Sequence, residues 1–150
     1  MARRPSTNTT AAWTSLIRAQ HALMDAIEGE LKDAGFPPLS WYDVLLELSR
    51  APRGSLRPVE LEKRMLLPQY GLSRLIDRMV EAELAVRTQC PVDKRGNFVG
   101  ITDTGRDVQK KMGHAYSAAI ERHVGSKLTD VEAQKLSQLL ERLKTPASVH

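Results

Sequence analysis

Apolar residues recur at steps of three and four along most of the chain, and this helical pattern is interrupted by a β-type pattern between residues 84 and 101. Such spacing predicts amphipathic helices that each bury one face. The interruption consists of two short segments with β-branched residues, 84–89 and 97–101, around a polar loop at 90–96. Two such segments flanking a turn-forming loop predict a β-hairpin. We therefore expect a mainly α-helical chain with a small β-hairpin.

Local signals place the first two helices. Residues 1–10 are polar and are expected to form a disordered arm, after which an amphipathic stripe starts at Ala11 and ends before Gly35. The second helix is expected to begin at Ser40, with Asp43 three residues on in the position of a capping box.

Two prolines indicate a pair of short helices in the middle of the chain. Proline is tolerated in the first turn of a helix, because its missing N–H has no partner there in any case. Pro58 and Pro68 therefore predict helices at 58–65 and 68–82, joined by a tight break. Leu56, just before the first of them, can belong to a very short strand.

After the hairpin the helical period returns. A long helix is expected over 102–125, and a capping box formed by Thr129 and Glu132 starts a last helix that Pro146 ends. The central part, residues 40–103, is then a compact unit of three helices and a hairpin between two strongly amphipathic outer regions.

Composition excludes several classes of protein. With 150 residues and 41% hydrophobic content the chain can bury a core, and its net charge of +4 permits nucleic-acid binding without proving it. Cys90 is the one cysteine, so no intrachain disulfide can form. There is no apolar run long enough for a membrane span and no signal peptide at the N-terminus, so we expect no membrane association and a cytoplasmic protein.

Two short helices followed by a hairpin are typical of a winged helix-turn-helix. The second helix of the pair, 68–82, is then the candidate recognition helix, because an α-helix fits the major groove of double-stranded DNA. Polar side chains that can read base edges or hold phosphates remain outside its apolar stripe: Gln69, Tyr70, Ser73, Arg74 and Arg78.

The polar loop of the hairpin carries its own DNA-binding pattern. Lys94 and Arg95 lie beside Gly96 at the expected tip, where two cations suit a phosphate track or a narrow minor groove. Asp93 is unsuited to DNA, and we interpret it as the intramolecular partner that orients Arg95. A solvated, charged loop tip is the alternative explanation for the two cations.

Two segments of the chain resemble the MarR family of transcriptional regulators. The run from Asp93 to Gly105 resembles that family's wing signature, and the run from Leu72 to Met79 resembles the core of its recognition helix. The spacing between the segments and the order of the helices also match. Glu83 departs from the family pattern, which usually has glycine at the turn closing the recognition helix; this implies either a strained turn or another exit geometry.

The resemblance implies a homodimer with a winged helix-turn-helix in each chain. Residues 11–35 and 104–145 would form the N- and C-terminal dimerisation helices, and 40–103 the DNA-binding domain. Each domain would read half of a pseudo-palindromic operator, with half-sites about one helical turn apart. Members of the family usually repress transcription, and many release DNA when a small phenolic or lipophilic acid, an oxidant or a metal binds.

Aromatic and basic residues outside the DNA-binding motif suggest a pocket for such an effector. The candidates that could line it between the outer helices and the central unit are Trp13, Arg18, His21, Trp41 and Tyr42, with Tyr116 a further aromatic. Arg18 could meet a carboxylate of the ligand. Ordinary core or interface packing is the alternative role for these side chains.

Other sensing and catalytic roles have little support. Cys90 at the base of the wing could be a redox sensor, but an inert thiol is favoured, and no histidines or cysteines have metal-ligand spacing. The chain contains no hydrolase, P-loop, dinucleotide or zincin motif, so no catalytic residue or cofactor is predicted. A winged-helix module that binds proteins instead of DNA is the alternative function.

Overall fold

A computed structural model describes residues 3–89 and 97–147 of the chain. The elements in the described residues are α1 (Thr7–Asp33), α2 (Leu39–Arg50), β1 (Ser55–Leu56), α3 (Pro58–Arg64), α4 (Leu72–Glu81), β2 (Ala85–Gln89), β3 (Asn97–Ile101), α5 (Asp103–Ile120) and α6 (Asp130–Lys144). A 3₁₀ turn at Pro52–Gly54 precedes β1, and a π-helical turn at Glu121–Gly125 follows α5. The predicted class, mainly α with a small β-hairpin wing, is confirmed.

The chain divides into two compact units. The larger one, residues 28–116, contains the end of α1, helices α2 to α4, the three strands and most of α5. The other is formed by residues 1–27 and 117–150 and contains the first part of α1, the end of α5 and α6. Within the described residues, no helix is long and apolar enough to cross a membrane.

The strands form an antiparallel sheet in the order β1-β3-β2. In the hairpin Ala85 pairs with Ile101 and Gln89 with Asn97, so the strands are in register up to the loop at 90–96. Leu56 pairs with Val99 on the other side of β3. The hairpin predicted from the sequence is thus confirmed, and the short strand at Leu56 turns it into a three-stranded sheet.

A single hydrophobic core holds the larger unit together. Its most deeply buried side chains come from three helices and the central strand: Val44, Leu45, Leu48, Leu61, Ile76, Met79 and Val99. Each of these is at most 1% exposed. Burial of one such aliphatic side chain contributes about 1.5–3 kcal/mol, so this core fixes α3 and α4 against the sheet.

The first helix begins earlier than the sequence indicated. Residues Thr7–Thr10 are helical, although the sequence pattern placed them in a disordered arm at 1–10. The Ser6 hydroxyl accepts a hydrogen bond from the Thr9 N–H at 3.0 Å, which satisfies one of the free donors of the first turn. This serine cap explains why the helix extends beyond its apolar stripe.

The N-terminus of α2 is capped from outside the helix. The predicted capping box of Ser40 and Asp43 is absent from α2, and the N–H of Leu39 instead donates to both carboxylate oxygens of Glu28, at 3.0 and 3.2 Å. Glu28 lies eleven residues earlier, on α1. The Asp43 carboxylate has another partner, the N–H of Leu67, at 2.7 Å.

The capping box predicted for α6 is confirmed. The Thr129 hydroxyl accepts from the N–H of Glu132 at 3.2 Å, and the Glu132 carboxylate accepts from the N–H of Thr129 at 3.0 Å. These bonds lower the pKa of Glu132, because the Thr129 backbone and hydroxyl favour the charged carboxylate.

Candidate nucleic-acid interface

Helices α3 and α4 form the predicted helix-turn-helix, with a longer connection than expected. Pro68 does not open the second helix: α4 begins at Leu72, and Gln69 and Tyr70 lie in the preceding loop. Gly71 has a φ of 73°, and its carbonyl accepts from the N–H groups of Arg74 and Leu75. This left-handed residue sets the start of the helix, since few side chains tolerate that conformation.

The two faces of α4 differ sharply in character. Apolar side chains at helical spacing are buried in the core: Leu72, Leu75, Ile76 and Met79. The opposite face is exposed and carries Ser73, Arg74, Asp77, Arg78 and Glu81. A helix anchored on one side in this way presents its polar side rigidly to a partner.

The exposed face consists of two columns of side chains, each one helical turn apart. Arg74 and Arg78 form one column, and among the described residues neither guanidinium belongs to an ion pair. Ser73 and Asp77 form the other column, which adjoins β2. The first column is therefore the cationic part of α4 that is available to a phosphate or a base.

Arg87 on β2 binds the second column, a contact that the sequence did not predict. Its Nη2 donates to the Asp77 carboxylate at 2.9 Å, to the Ser73 carbonyl at 3.2 Å and to the Ser73 hydroxyl at 3.4 Å. The base of the wing is thereby tied to the first turns of α4. The only available signal was an arginine in the strand after the candidate recognition helix, which does not reveal its partner.

The loop before α4 adds two of the predicted contact residues. Tyr70 is fully exposed, so its ring and hydroxyl are free to meet a partner. Gln69 is half-buried and lines a shallow cleft together with Ser73 and Arg87. These two side chains therefore lie beside the N-terminal end of α4, where a helix in a major groove would make its base contacts.

A second cation links α3 to the sheet. The guanidinium of Arg57, the residue before α3, lies 5.4 Å from the centre of the Phe98 ring on β3. Such cation–π contacts contribute about 0.5–1 kcal/mol at exposed sites. The contact holds the start of α3 to the strand that leads out of the wing.

The turn after α4 has a strained backbone conformation rather than a different exit geometry. Glu83 has a φ of 65°, its N–H donates to the Val80 carbonyl, and the N–H of Leu84 donates to the Met79 carbonyl. This is the hydrogen-bond pattern of a helix that ends in a left-handed residue, a position where glycine is usual. Of the two alternatives that the sequence left open for Glu83, the structure has the strained turn.

Thr102 joins this turn to the start of α5. Its hydroxyl donates to the Glu83 carbonyl at 2.7 Å and accepts from the N–H of Gly105 at 2.9 Å, while its N–H donates to the Leu84 carbonyl at 3.2 Å. A Cβ on Gly105 would collide with the Leu84 carbonyl oxygen. The Thr and Gly at the end of the wing signature thus have a packing role.

The tip of the wing lies outside the described residues. The proposed contacts of Lys94 and Arg95, the orienting role of Asp93 and the suggested chemistry of Cys90 all fall within 90–96. The strands that carry this loop are described up to Gln89 and Asn97.

A cavity of about 400 Å³ lies within the larger unit, between α2, residues 64–67 and the ring of Tyr116. The Tyr116 ring packs edge-on against Tyr42, with their centres 5.3 Å apart. Burial, followed by the charges of Tyr42 and Asp43, raises the pKa of the Tyr116 hydroxyl. The hydroxyl is therefore a neutral hydrogen-bonding group at the cavity wall.

Only part of the predicted effector pocket lies at this cavity. Tyr42 lines it, whereas Trp41 packs against the hydrophobic core. Trp13, Arg18 and His21 belong to the other unit, where Trp13 is 65% exposed and Arg18 lines a shallow hollow near the start of α1. Among the described residues, no three His, Cys, Asp or Glu side chains are arranged to hold a metal ion.

Known proteins resemble this chain in both sequence and fold. A sequence profile of the MarR family matches residues 34–96. The uncharacterized HTH-type transcriptional regulator YkoM of Bacillus subtilis is 27% identical over 124 residues, which are 83% of this chain and 75% of YkoM.

Two solved structures from Streptomyces coelicolor have the same fold. The MarR family transcriptional regulator Sco3205, crystallised in complex with DNA, is 27% identical with a TM-score of 0.87. The match covers 96% of this chain and 90% of the Sco3205 chain. AbsC, another MarR family transcriptional regulator, is 24% identical with a TM-score of 0.85, and the match covers 95% of this chain and 96% of the AbsC chain. The resemblance to the MarR family of winged helix-turn-helix transcriptional regulators is therefore confirmed in both sequence and fold.

Proposed function

We propose that the protein is a cytoplasmic, ligand-responsive transcriptional repressor that binds a pseudo-palindromic operator as a homodimer. The observation that carries the proposal is the exposed pair Arg74 and Arg78 on α4, opposite a buried apolar stripe. The similarity to Sco3205, whose structure contains DNA, supports DNA binding by this chain.

In this proposal α4 enters the major groove. Arg74 and Arg78 contact bases or phosphates, and Gln69, Tyr70 and Ser73 approach the groove edge from the N-terminal end of the helix. The wing places Lys94 and Arg95 on the neighbouring backbone, with Asp93 orienting Arg95. Since phosphate contacts release counterions, affinity is expected to fall steeply with salt.

The proposed homodimer rests on the apolar surface of α6. None of its residues is buried within the chain, and four large apolar side chains are exposed: Val131, Leu136, Leu139 and Leu143. A run of this kind on a stable helix is typical of an interface with another chain. A second copy of the protein supplies an identical face, as an isologous dimer requires.

A salt-series titration against genomic fragments and random-sequence DNA tests the proposal, with mass measured in parallel. We expect a dimer that binds some fragments far more tightly than random DNA. Arg95→Ala should weaken binding to all sequences and reduce the salt slope by about one phosphate contact. Gln69→Ala and Ser73→Ala should alter sequence preference, while Lys127→Ala, which removes an exposed charge from the turn before α6, should leave both properties unchanged.

A protein-interaction module is the second candidate function. Asp77 and Glu81 lie on the exposed face of α4 among its arginines, and acidic side chains disfavour phosphate. However, Arg87 neutralises Asp77 at 2.9 Å, so the remaining charge on this face is mostly positive. Absence of DNA binding at low salt would make this candidate the leading one.

We further propose that a small ligand in the cavity beside Tyr42 and Tyr116 controls DNA binding. Asp43 lines the cavity and its carboxylate accepts from the N–H of Leu67, in the connection between α3 and α4. A ligand that alters this hydrogen bond would shift the loop that leads into α4. The cavity volume of about 400 Å³ is within the usual range for small-molecule sites.

A further inference from the structure

The acidic side chains that line the cavity are largely buried, whereas its basic side chains are exposed. Asp43 is 5% exposed and the side chain of Glu47 15%, so both carboxylates are largely removed from water. The Arg50 side chain is 65% exposed, and Arg64 is exposed as well. The negative charges therefore lie at the inner wall and the positive charges at the mouth.

This arrangement makes the inner part of the cavity electrostatically negative. Charges near solvent are screened strongly, whereas charges in a less polar environment act over longer distances. Arg50, which is the more exposed of the two, forms a long ion pair with Glu47 at 3.8 Å. Asp43 has a single described hydrogen-bond donor, the neutral N–H of Leu67, so its charge is not cancelled by a cation.

The two tyrosines that line the cavity, Tyr42 and Tyr116, also favour a positively charged ligand. Tyr42 and Tyr116 meet edge-on at 5.3 Å, and the faces of such rings attract cations. Burial is the main cause of the raised pKa of Tyr116, and the charges of Tyr42 and Asp43 raise it further, which is the direction expected beside a negative group. Aliphatic side chains also line the cavity, among them Leu39, Leu46 and Leu66.

We propose that the cavity binds a lipophilic organic cation, with its ammonium group beside Asp43 and Glu47 and its apolar body against the aliphatic and tyrosine side chains. This differs from the phenolic or lipophilic acids that the family resemblance implies, because an acid would have to place its charge against the two inner carboxylates. The inference deepens the proposed ligand response and rests on the proposed function for its effect on DNA.

The regulatory consequence follows from the hydrogen bond of Asp43. An ammonium group at this carboxylate competes with the N–H of Leu67, which lies in the loop between α3 and α4. Weakening that bond loosens the segment that sets the position of α4. A bound cation is therefore expected to reduce operator affinity.

Titration calorimetry without DNA measures ligand binding alone, so it tests the cation site independently of the proposed function. The probes are phenethylammonium and 3-phenylpropionate, which have similar size and opposite charge. We expect the cation to bind once per chain and at least about tenfold more tightly than the anion, a preference of about 1.4 kcal/mol. A parallel operator titration with phenethylammonium measures the effect on DNA.

Three variants locate the cation. Asp43→Asn retains an oxygen that can accept from the Leu67 N–H, so the loop keeps its partner while the charge is lost; binding should weaken about tenfold or more. Glu47→Gln should weaken it less, because Glu47 is nearer to solvent and to Arg50. Glu60→Gln, an exposed carboxylate on α3, is the matched control and should bind as the wild type does.

The outcomes are distinct. Anion binding that equals or exceeds cation binding, failure of the cation to bind, or unchanged affinity in both Asp43→Asn and Glu47→Gln would overturn the cation site. Cation binding that leaves operator affinity unchanged would overturn the regulatory consequence and keep the site. Absence of any operator would contradict the proposed function, while the calorimetric result would still decide the cation site.

Discussion

The guanidinium of Arg87 on β2 donates to the carboxylate of Asp77 on α4 at 2.9 Å and reaches the carbonyl and hydroxyl of Ser73 from the same nitrogen. One side chain thus fixes the angle between the wing and the exposed face of the helix. The pair is solvent-accessible, with side-chain exposures of 34% and 66%. We therefore expect its importance to lie in positioning rather than in stability.

Arg87→Ala should show whether this contact matters for the stability of the protein or for the position of α4. The free energy of unfolding should fall by less than about 1 kcal/mol, as is usual for exposed ion pairs. Operator affinity should fall by about tenfold, since Ser73 and Asp77 lose their partner and α4 is held less firmly. Urea unfolding and DNA titration measure the two effects. Wild-type operator affinity in Arg87→Ala, with Lys127→Ala as the control, would contradict the positioning role.

Glu83→Gly should stabilise the protein. A non-glycine residue with positive φ carries a strain of about 1–2 kcal/mol, which exceeds the extra backbone entropy of glycine. We expect the free energy of unfolding to rise by up to about 1 kcal/mol, measured by urea unfolding. The same change two residues earlier, Glu81→Gly, lies within α4 and should lower it by about 1 kcal/mol. A loss of stability in both variants would show that Glu83 is not strained.

Gly105→Ala should destabilise the protein strongly, because its Cβ would overlap the carbonyl oxygen of Leu84. The cost is expected to exceed about 2 kcal/mol, since the obstructing atom is backbone and cannot rotate away. Gly29→Ala is the matched control: nothing lies within 4 Å of its added Cβ, and alanine favours the helix. Thermal melting compares them, and a Gly105→Ala variant as stable as Gly29→Ala would refute the close packing.

The capping box of α6 predicts a pH dependence. The folded-state pKa of Glu132 is below its ordinary value of 4.5, so the folded protein binds fewer protons there than the unfolded chain does. The stabilising contribution is complete above the unfolded pKa and is lost as pH falls through the folded pKa.

Glu132→Gln isolates this contribution. Glutamine retains the box geometry without titrating, so the difference in melting temperature between wild type and variant should shrink as the pH drops below about 4.5. Melting curves at a series of acidic pH values measure it. A difference that stays constant over this range would contradict the role of the charged carboxylate.

Leu139→Arg tests the proposed homodimer. The side chain is 43% exposed within the chain, so the substitution should leave the fold intact, and its charge would be buried at an interface formed by α6. Sedimentation should show monomers at concentrations where the wild type dimerises, together with weaker operator binding. Gln138→Arg, an exposed neighbouring position, controls for the added charge. Dimers of unchanged stability in Leu139→Arg would place the interface elsewhere.

Much of the fold could be predicted from local patterns. The stripe Leu72, Leu75, Ile76 and Met79 predicted a buried helix face, and the strands on both sides of 90–96 were assigned almost to the residue. The start of α4 was placed too early, because proline is compatible with a first helical turn but does not require one. The left-handed Gly71 decided the actual boundary.

The sequence by itself determined the helix order, the hairpin and the candidate DNA-contacting residues, since apolar periodicity and turn-forming residues act over a few positions. Only the tertiary structure decided that Arg87 holds Ser73 and Asp77, that Glu28 caps α2, and that Asp43 binds the Leu67 N–H at the cavity wall. These partners lie 10 to 24 residues apart. Their contacts depend on how packed elements orient side chains in space, which the spacing of residues along one element does not specify.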